Sequence, residues 1–396
     1  MSMQTGRRVG VAFVGMGGAV ATTAIAGIEM IKSGSNRLDG LPLAGLSVQG
    51  LSDYKDLVFG GWDLNGDDLA SAAAGHGVLS RDDIESGAKA LKGITPWPAV
   101  GSAKFCKNIE GGNRIVAKDH RETVSIIAND LKRFRQESNL DEVVVVNLAS
   151  TERWPDLTAE VLNSMEAFER GLDTDDESIS PAMLYAYAAI KSGVPYANFT
   201  PSVAADVPAL LALATELNVP VAGKDGKTGQ TMMKTVLAPA FKARALHVDG
   251  WFSTNILGNR DGLALNDPAS LQSKINTKGT VLDSMLGYPV EDHLVHIHYY
   301  RPRGDDKEAW DNIDVTGFMG QRMQIKVNFL CKDSILAAPL VIEMARVLDL
   351  AKTRGDGGVQ EQLSTFFKAP MVKNGAGPVH AFGEQQKMLM DWLGVN

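Results

Sequence analysis

The sequence reads as an α/β protein: a Rossmann-type nucleotide-binding domain joined to an inserted α+β catalytic and oligomer-forming domain. Three observations predict this. A strand, a glycine-rich turn and a helix open the chain. Short β-branched runs then alternate with helical patterns, as in a parallel sheet covered on both faces. Farther on, two segments switch to period-two alternation, the mark of strands with one open or partner-covered face.

Residues 8–14 form the first apolar strand, and Gly15-Met16-Gly17-Gly18-Ala19-Val20 follows at once. Ile25, Ile28 and Ile31 then recur at helical spacing. Such a turn directs backbone N–H groups and a helix N-terminus at a pyrophosphate. Its glycines fit G-x-G-G, short of the full G-x-G-x-x-G, so a merely tight βα turn is the competing reading. Leu57-Val58-Phe59 and Val143-Val144-Val145-Val146 read as further buried strands, with helices over 121–134 and 157–170. Asp63 closes the second strand, where an acid can meet an adenosine ribose; its distance from the glycines requires an insertion over 34–52. Residues 294–300 and 323–329 read as strands of an antiparallel sheet, 334–351 as an apolar helix, and 353–358 as a loop. The boundaries expected are 1–225 with 334–396 for the nucleotide domain and 226–333 for the insertion.

Composition narrows the class. With 44% hydrophobic and 22% charged residues, the chain has the balance of a globular enzyme. It contains no run of about 18 apolar residues that would cross a membrane. No signal-peptide pattern precedes the first strand, and two distant cysteines suit a reducing compartment, so a cytoplasmic location is expected. The net charge of −8 argues against nucleic-acid binding. In so acidic a chain, lysines near a candidate phosphate turn carry extra weight.

That turn is Asp225-Gly226-Lys227-Thr228-Gly229-Gln230-Thr231, with a helical pattern beginning inside it. Hydroxyls and N–H groups at a helix start suit a phosphate, and plain capping by Thr228 fits equally well. Lys274 and Lys278, four apart, share a face if helical; mutual repulsion and burial would lower one of them into a proton-shuttling range. The competing reading is a solvated face. Lys368 stands between Phe366-Phe367 and Pro370, unusual company for a lysine. Asp225, Asp261 and Asp333 lie in turns, where aspartates are mostly structural. His293, His296 and His298 fall on a predicted strand with only the last two on one face, a poor metal set, and whether a metal takes part stays unknown. Hydrolase elbows, Walker A loops and paired Cys-x-x-Cys motifs are missing from the sequence.

Residues 222–231 (AGKDGKTGQT), 255–262 (NILGNRDG), the Ser273-Lys274 to Lys278 element, 332–340 (KDSILAAPL), Lys368-Ala369-Pro370 and the glycine turn at 17–23 resemble the myo-inositol-1-phosphate synthase family, in its order and over nearly the whole chain. The resemblance implies a homotetramer holding NAD and a redox-neutral cyclisation of D-glucose 6-phosphate: oxidation at C5, enolisation, aldol closure of C6 on C1, and reduction. By matching position it implies catalytic roles for Lys274, Lys278, Lys368, Asp225, Asp261 and Asp333. It assigns the phosphate to Thr228, Gly229, Gln230, Thr231 and Arg301. It assigns the cofactor to Gly15, Gly17, Gly18, Ala19, Val20, Asp63, Ala149 and Asp206. The sequence departs from the family pattern at Arg301, where many members carry lysine, at Thr228 in place of serine, and at Ile275-Asn276-Thr277, which lacks an acid. Arginine binds phosphate but does not shuttle protons at neutral pH. A paralogue cyclising another sugar phosphate, such as a ketohexose phosphate, an NAD-dependent phosphopolyol dehydrogenase and a nucleotide sensor without turnover therefore stay open.

Overall fold

A computed structural model describes residues 6–259, 262–263, 281–373, 375 and 377–395. Through the first half, strands and helices alternate: β1 (Val9–Val14), α1 (Ala19–Lys32), β2 (Leu57–Asp63), α2 (Leu69–His76), α3 (Arg81–Lys92), β3 (Trp97–Pro98), α4 (His120–Glu137) and β4 (Glu142–Asn147). Next come α5 (Met165–Thr174), α6 (Pro181–Lys191), β5 (Tyr196–Asn198), α7 (Pro208–Glu216) and β6 (Pro220–Gly223). The remainder holds α8 (Gln230–Ala243), β7 (His247–Leu257), α9 (Val281–Leu286), β8 (Asp292–Tyr299), β9 (Asp306–Thr316), β10 (Arg322–Lys332), α10 (Asp333–Arg354), β11 (Gly358–Val359) and α11 (Phe382–Leu393).

The first six strands and β11 form one sheet in the order β11-β6-β5-β4-β1-β2-β3, with every pair parallel. The Val143–Val146 run is buried throughout, as a central strand covered on both faces must be. One face packs on α4 to α7 through Phe134, Phe168, Met183 and Leu210. The other packs on α1 and α10 through Ile25, Ile28, Val341 and Met344. Strand order reverses between β1 and β4, which opens a crevice at their C-terminal ends. Residues 34–52 lie against α10: Glu343 accepts the Tyr54 hydroxyl at 2.6 Å and the Leu43 N–H at 3.1 Å, while Arg346 donates to Glu343 at 2.6 Å and to the Ser52 carbonyl at 2.8 Å.

The second sheet has the order β10-β9-β7-β8. Its outer strands alternate in burial as the period-two pattern predicts, but the sheet is mixed where an antiparallel one was expected. β7 and β8 pair in parallel, because the long connection after Leu257 brings the chain back in the same direction. A second difference lies in 157–170. Only a 3-10 turn, Glu160–Leu162, occupies its first part, and α5 starts after Ser164, whose side chain caps the Ala167 N–H. In α8, the buried face carries Gln230, Thr231, Lys234 and Thr235 as well as Ala238 and Phe241, while Val236 is exposed.

Candidate active site

A cavity of about 560 Å³ runs along the C-terminal ends of the parallel strands. Its lining begins at Gly15, Gly17, Gly18, Ala19 and Val20, passes Asp63 and Ala149, and ends at Asp225, Thr228, Lys307, Asp333 and Lys368. Most of the residues assigned to a cofactor thus share one space with Thr228 of the phosphate set and with Asp225, Asp333 and Lys368 of the catalytic set.

At the first end, Gly15 has a φ of +87°, and a Cβ there would come within 3.1 Å of the Leu148 carbonyl oxygen and the Ala149 nitrogen. Only glycine fits that approach. Helix α1 has Gly18 at its N-cap and no side-chain cap bond, so its opening turn faces the cavity with donors to offer. Asp63 accepts the Gly17 N–H at 2.8 Å and the Asn65 N–H at 2.9 Å, which binds its carboxylate to the shape of the loop. His76 adds a 2.7 Å contact from Nε2 to the Gly17 carbonyl oxygen. The site thus fits a dinucleotide: close backbone, helix N-terminus and an acid at the end of β2. Asp206 sits elsewhere. Its carboxylate pairs with Lys224 at 2.6 Å, and it does not line the cavity.

The other end is assembled from distant segments. Residues 223–227 run beside 366–371: Lys224 N donates to the Ala369 carbonyl at 2.9 Å, Lys368 N to that of Asp225 at 2.7 Å, and Lys227 N to that of Phe366 at 2.8 Å. A Cβ on Gly226 would fall 2.1 Å from the ring of Phe199, the residue after β5, so only glycine lets this ladder seat there. The ladder brings Lys368 Nζ to Asp225 Oδ1 at 2.6 Å. Across the cavity, Thr228 Oγ1 donates to Asp333 Oδ1 at 2.8 Å, and Lys307 Nζ reaches the same oxygen at 3.3 Å. Thr228 is therefore bound to Asp333, and α8 has no side-chain cap. Asp305 receives the Ser334 N–H at 3.0 Å and the Ser334 hydroxyl at 2.7 Å, and burial raises its pKa above the usual carboxylate value. Glu152, also on the lining, is pushed up to about 7 by burial, against the opposing pull of Ser180 and the Ala182 N–H.

Gly229, Gln230 and Thr231 do not line the cavity. Gln230 instead accepts from Asn255 Nδ2 at 2.5 Å and faces the second sheet. Arg301 is exposed in a 3-10 turn that ends at the lining residue Gly304, and it does not itself line the cavity. Lys274, Lys278 and Asp261 lie outside the described residues. Sequence reasoning missed Lys307 and Asp305: they lie in the run GDDKEAWD, which matches none of the motifs that mark the site. The signal that exposes Lys307 is strand register, because β9 pairs it with Cys331, two residues before Asp333. Among the described residues, no group of three or more His, Cys, Asp or Glu side chains could hold a metal ion.

The family model for myo-inositol-1-phosphate synthase, an NAD-binding family, matches residues 46–394. Inositol-3-phosphate synthase 1 of Bacteroides thetaiotaomicron is 42% identical over 98% of this chain and 95% of its own length. Inositol-3-phosphate synthase isozyme 1 of Arabidopsis thaliana is 33% identical over 84% of this chain and 69% of its own. The crystal structure of inositol-3-phosphate synthase from Caenorhabditis elegans superposes with a TM-score of 0.91 at 26% identity, covering 98% of this chain and 86% of that one. The chain belongs to the myo-inositol-1-phosphate synthase family.

Proposed function

We propose that this protein converts D-glucose 6-phosphate to 1L-myo-inositol 1-phosphate by a redox-neutral, NAD-dependent cyclisation. The observation that carries the reading is the single cavity joining the glycine loop to the Asp225–Lys368 and Asp333–Lys307 pairs. A cofactor at one end and a phosphorylated sugar at the other would lie side by side.

Gly15, Gly17, Gly18, Ala19 and Val20 would hold the NAD pyrophosphate, with Asp63 fixing the loop and Ala149 forming the opposite wall. What NAD supplies when bound is reversible hydride acceptance. The chain's own residues supply the rest. Thr228 and Lys307, with Lys278, would hold the phosphate, and Lys274 and Lys368 would stand beside the reacting carbons. An ammonium at Lys368 Nζ, oriented by Asp225, would stabilise an oxyanion as it develops and donate a proton to it, and the amine so formed would take the proton back from the hydroxyl in the reverse step. Asp333 plays the orienting part for Lys307, which supplies the cavity with a lysine although position 301 is arginine. Burial of these charges strengthens each interaction relative to water.

Among the described residues, no helix is long and apolar enough to cross a membrane. Leu294, Trp310, Met323 and Leu330 are exposed on the strands of the second sheet, which supports a homotetramer as the working form; light scattering tests it. The expected location is the cytoplasm. The test of activity is incubation with glucose 6-phosphate and NAD+, with product identified by NMR. Inositol phosphate without steady-state accumulation of NADH is the expected result. A different cyclitol would indicate another sugar phosphate, and stoichiometric NADH a dehydrogenase; either overturns the reading.

A further inference from the structure

The turn that carries Asp225 and Thr228 has a third polar side chain that does not enter the cavity. Lys227 points the opposite way and is almost completely buried, at 3% exposure. Its Nζ donates to Gln385 Oε1 in α11 and lies 5.4 Å from the centre of the Phe382 ring. Gln385 is itself fully buried and donates through Nε2 to the Val379 carbonyl at 2.6 Å. His380 is buried nearby, and burial together with the charge of Lys227 lowers its pKa to about 4. Burial also pulls Lys227 down to about 7.

Placing an amine here is costly, since an apolar side chain of similar shape would fill the slot without a desolvation penalty. The geometry gives the amine a use. Residues 223–227 are held on one side by the ladder to 366–371. Lys227 adds a side-chain tie to the last helix, between the two residues that bond to Lys368 and Asp333.

We propose that Lys227 is a positioning residue: by latching the Asp225–Thr228 turn to Gln385 of α11, it sets the turn's geometry toward the phosphorylated substrate. The inference rests on the reading of the cavity as a sugar-phosphate site. Neither Lys227 nor Gln385 lines that cavity, so the latch acts through the backbone of the turn.

The test uses the full chain loaded with NAD and the variants Lys227→Met, Gln385→Leu and the double substitution. Each single change is expected to raise KM for glucose 6-phosphate about tenfold, with kcat and NAD affinity within about twofold of wild type. The double variant is expected to be no worse than the worse single one, because both remove one interaction. Hydrogen exchange across 223–231 is expected to speed up in all three, with β1 and β4 unchanged. Penalties that add in the double variant, an unchanged KM, unchanged exchange, or a general loss of NAD affinity and fold would each overturn the latch. A wild-type protein without turnover would sink the functional reading instead, and exchange alone would then decide the latch.

Discussion

Lys368 Nζ lies 2.6 Å from Asp225 Oδ1, although 143 positions separate the two residues in sequence. Both are buried and both line the cavity. Removing one member of such a pair leaves a buried charge uncompensated and misplaces the other. Asp225→Asn keeps the shape and removes the anion. It is expected to lower kcat about 100-fold while leaving NAD affinity within about twofold. Steady-state kinetics beside cofactor titration check this; an equal loss of NAD binding would show that the pair serves the fold and not the reaction.

Lys307 and Arg301 offer a direct contrast. Lys307 reaches Asp333 Oδ1 at 3.3 Å on the cavity wall, whereas Arg301 is exposed outside it. Lys307→Ala is expected to lower turnover by about 100- to 1,000-fold, as loss of one charge-stabilising group does. Arg301→Ala removes a solvated charge and is expected to change turnover less than about threefold. Reversal of that order in kinetic assays would return the phosphate to Arg301.

Why the sequence disclosed one half of this site better than the other is a matter of what determines each half. The glycine loop and the Val143–Val146 strand are local: a tight turn needs glycine at Gly15, and a strand buried on both faces must be apolar throughout. Helix α8 misleads because its buried partners are polar. Lys234 meets His293 Nε2 at 2.8 Å and Gln230 meets Asn255, pairings that lie 59 and 25 residues apart. No periodicity within the helix records them, so the helical pattern alone does not show which polar side chains are buried. Lys307 was hidden for a similar reason, since its meaning comes from the register of β9 against β10.

The glycine loop gives a prediction on the cofactor side. Alanine at Gly15 would have to hold a φ of +87° and press its methyl to 3.1 Å from backbone atoms of Leu148 and Ala149. A side chain forced into such a region costs about 1–3 kcal/mol. Because the strain falls on the wall shared by β1 and β4, Gly15→Ala is expected to weaken NAD binding at least about tenfold, by calorimetry. Wild-type affinity in a folded variant would mean that the cofactor does not approach this turn.

Glu152 makes stability depend on pH in a direction opposite to that of an ion-paired carboxylate. Burial raises its pKa from 4.5 to about 7, so the folded protein binds the proton more tightly than the unfolded chain does. The unfolded chain releases that proton first as pH rises. The stability Glu152 contributes is therefore complete below about 4.5 and is lost as pH climbs through about 7. A glutamine at this position keeps the carbonyl oxygen that accepts the Ala182 N–H, now at 3.0 Å from the carboxylate, and does not titrate. Relative to Glu152→Gln, the wild type is expected to lose about 3 kcal/mol of unfolding free energy across that interval. Urea denaturation of both proteins at several pH values measures the difference. A wild-type stability that holds level with that of Glu152→Gln as pH rises, or that gains on it, would mean that Glu152 is ionised in the folded protein and that the cavity wall carries its charge at neutral pH.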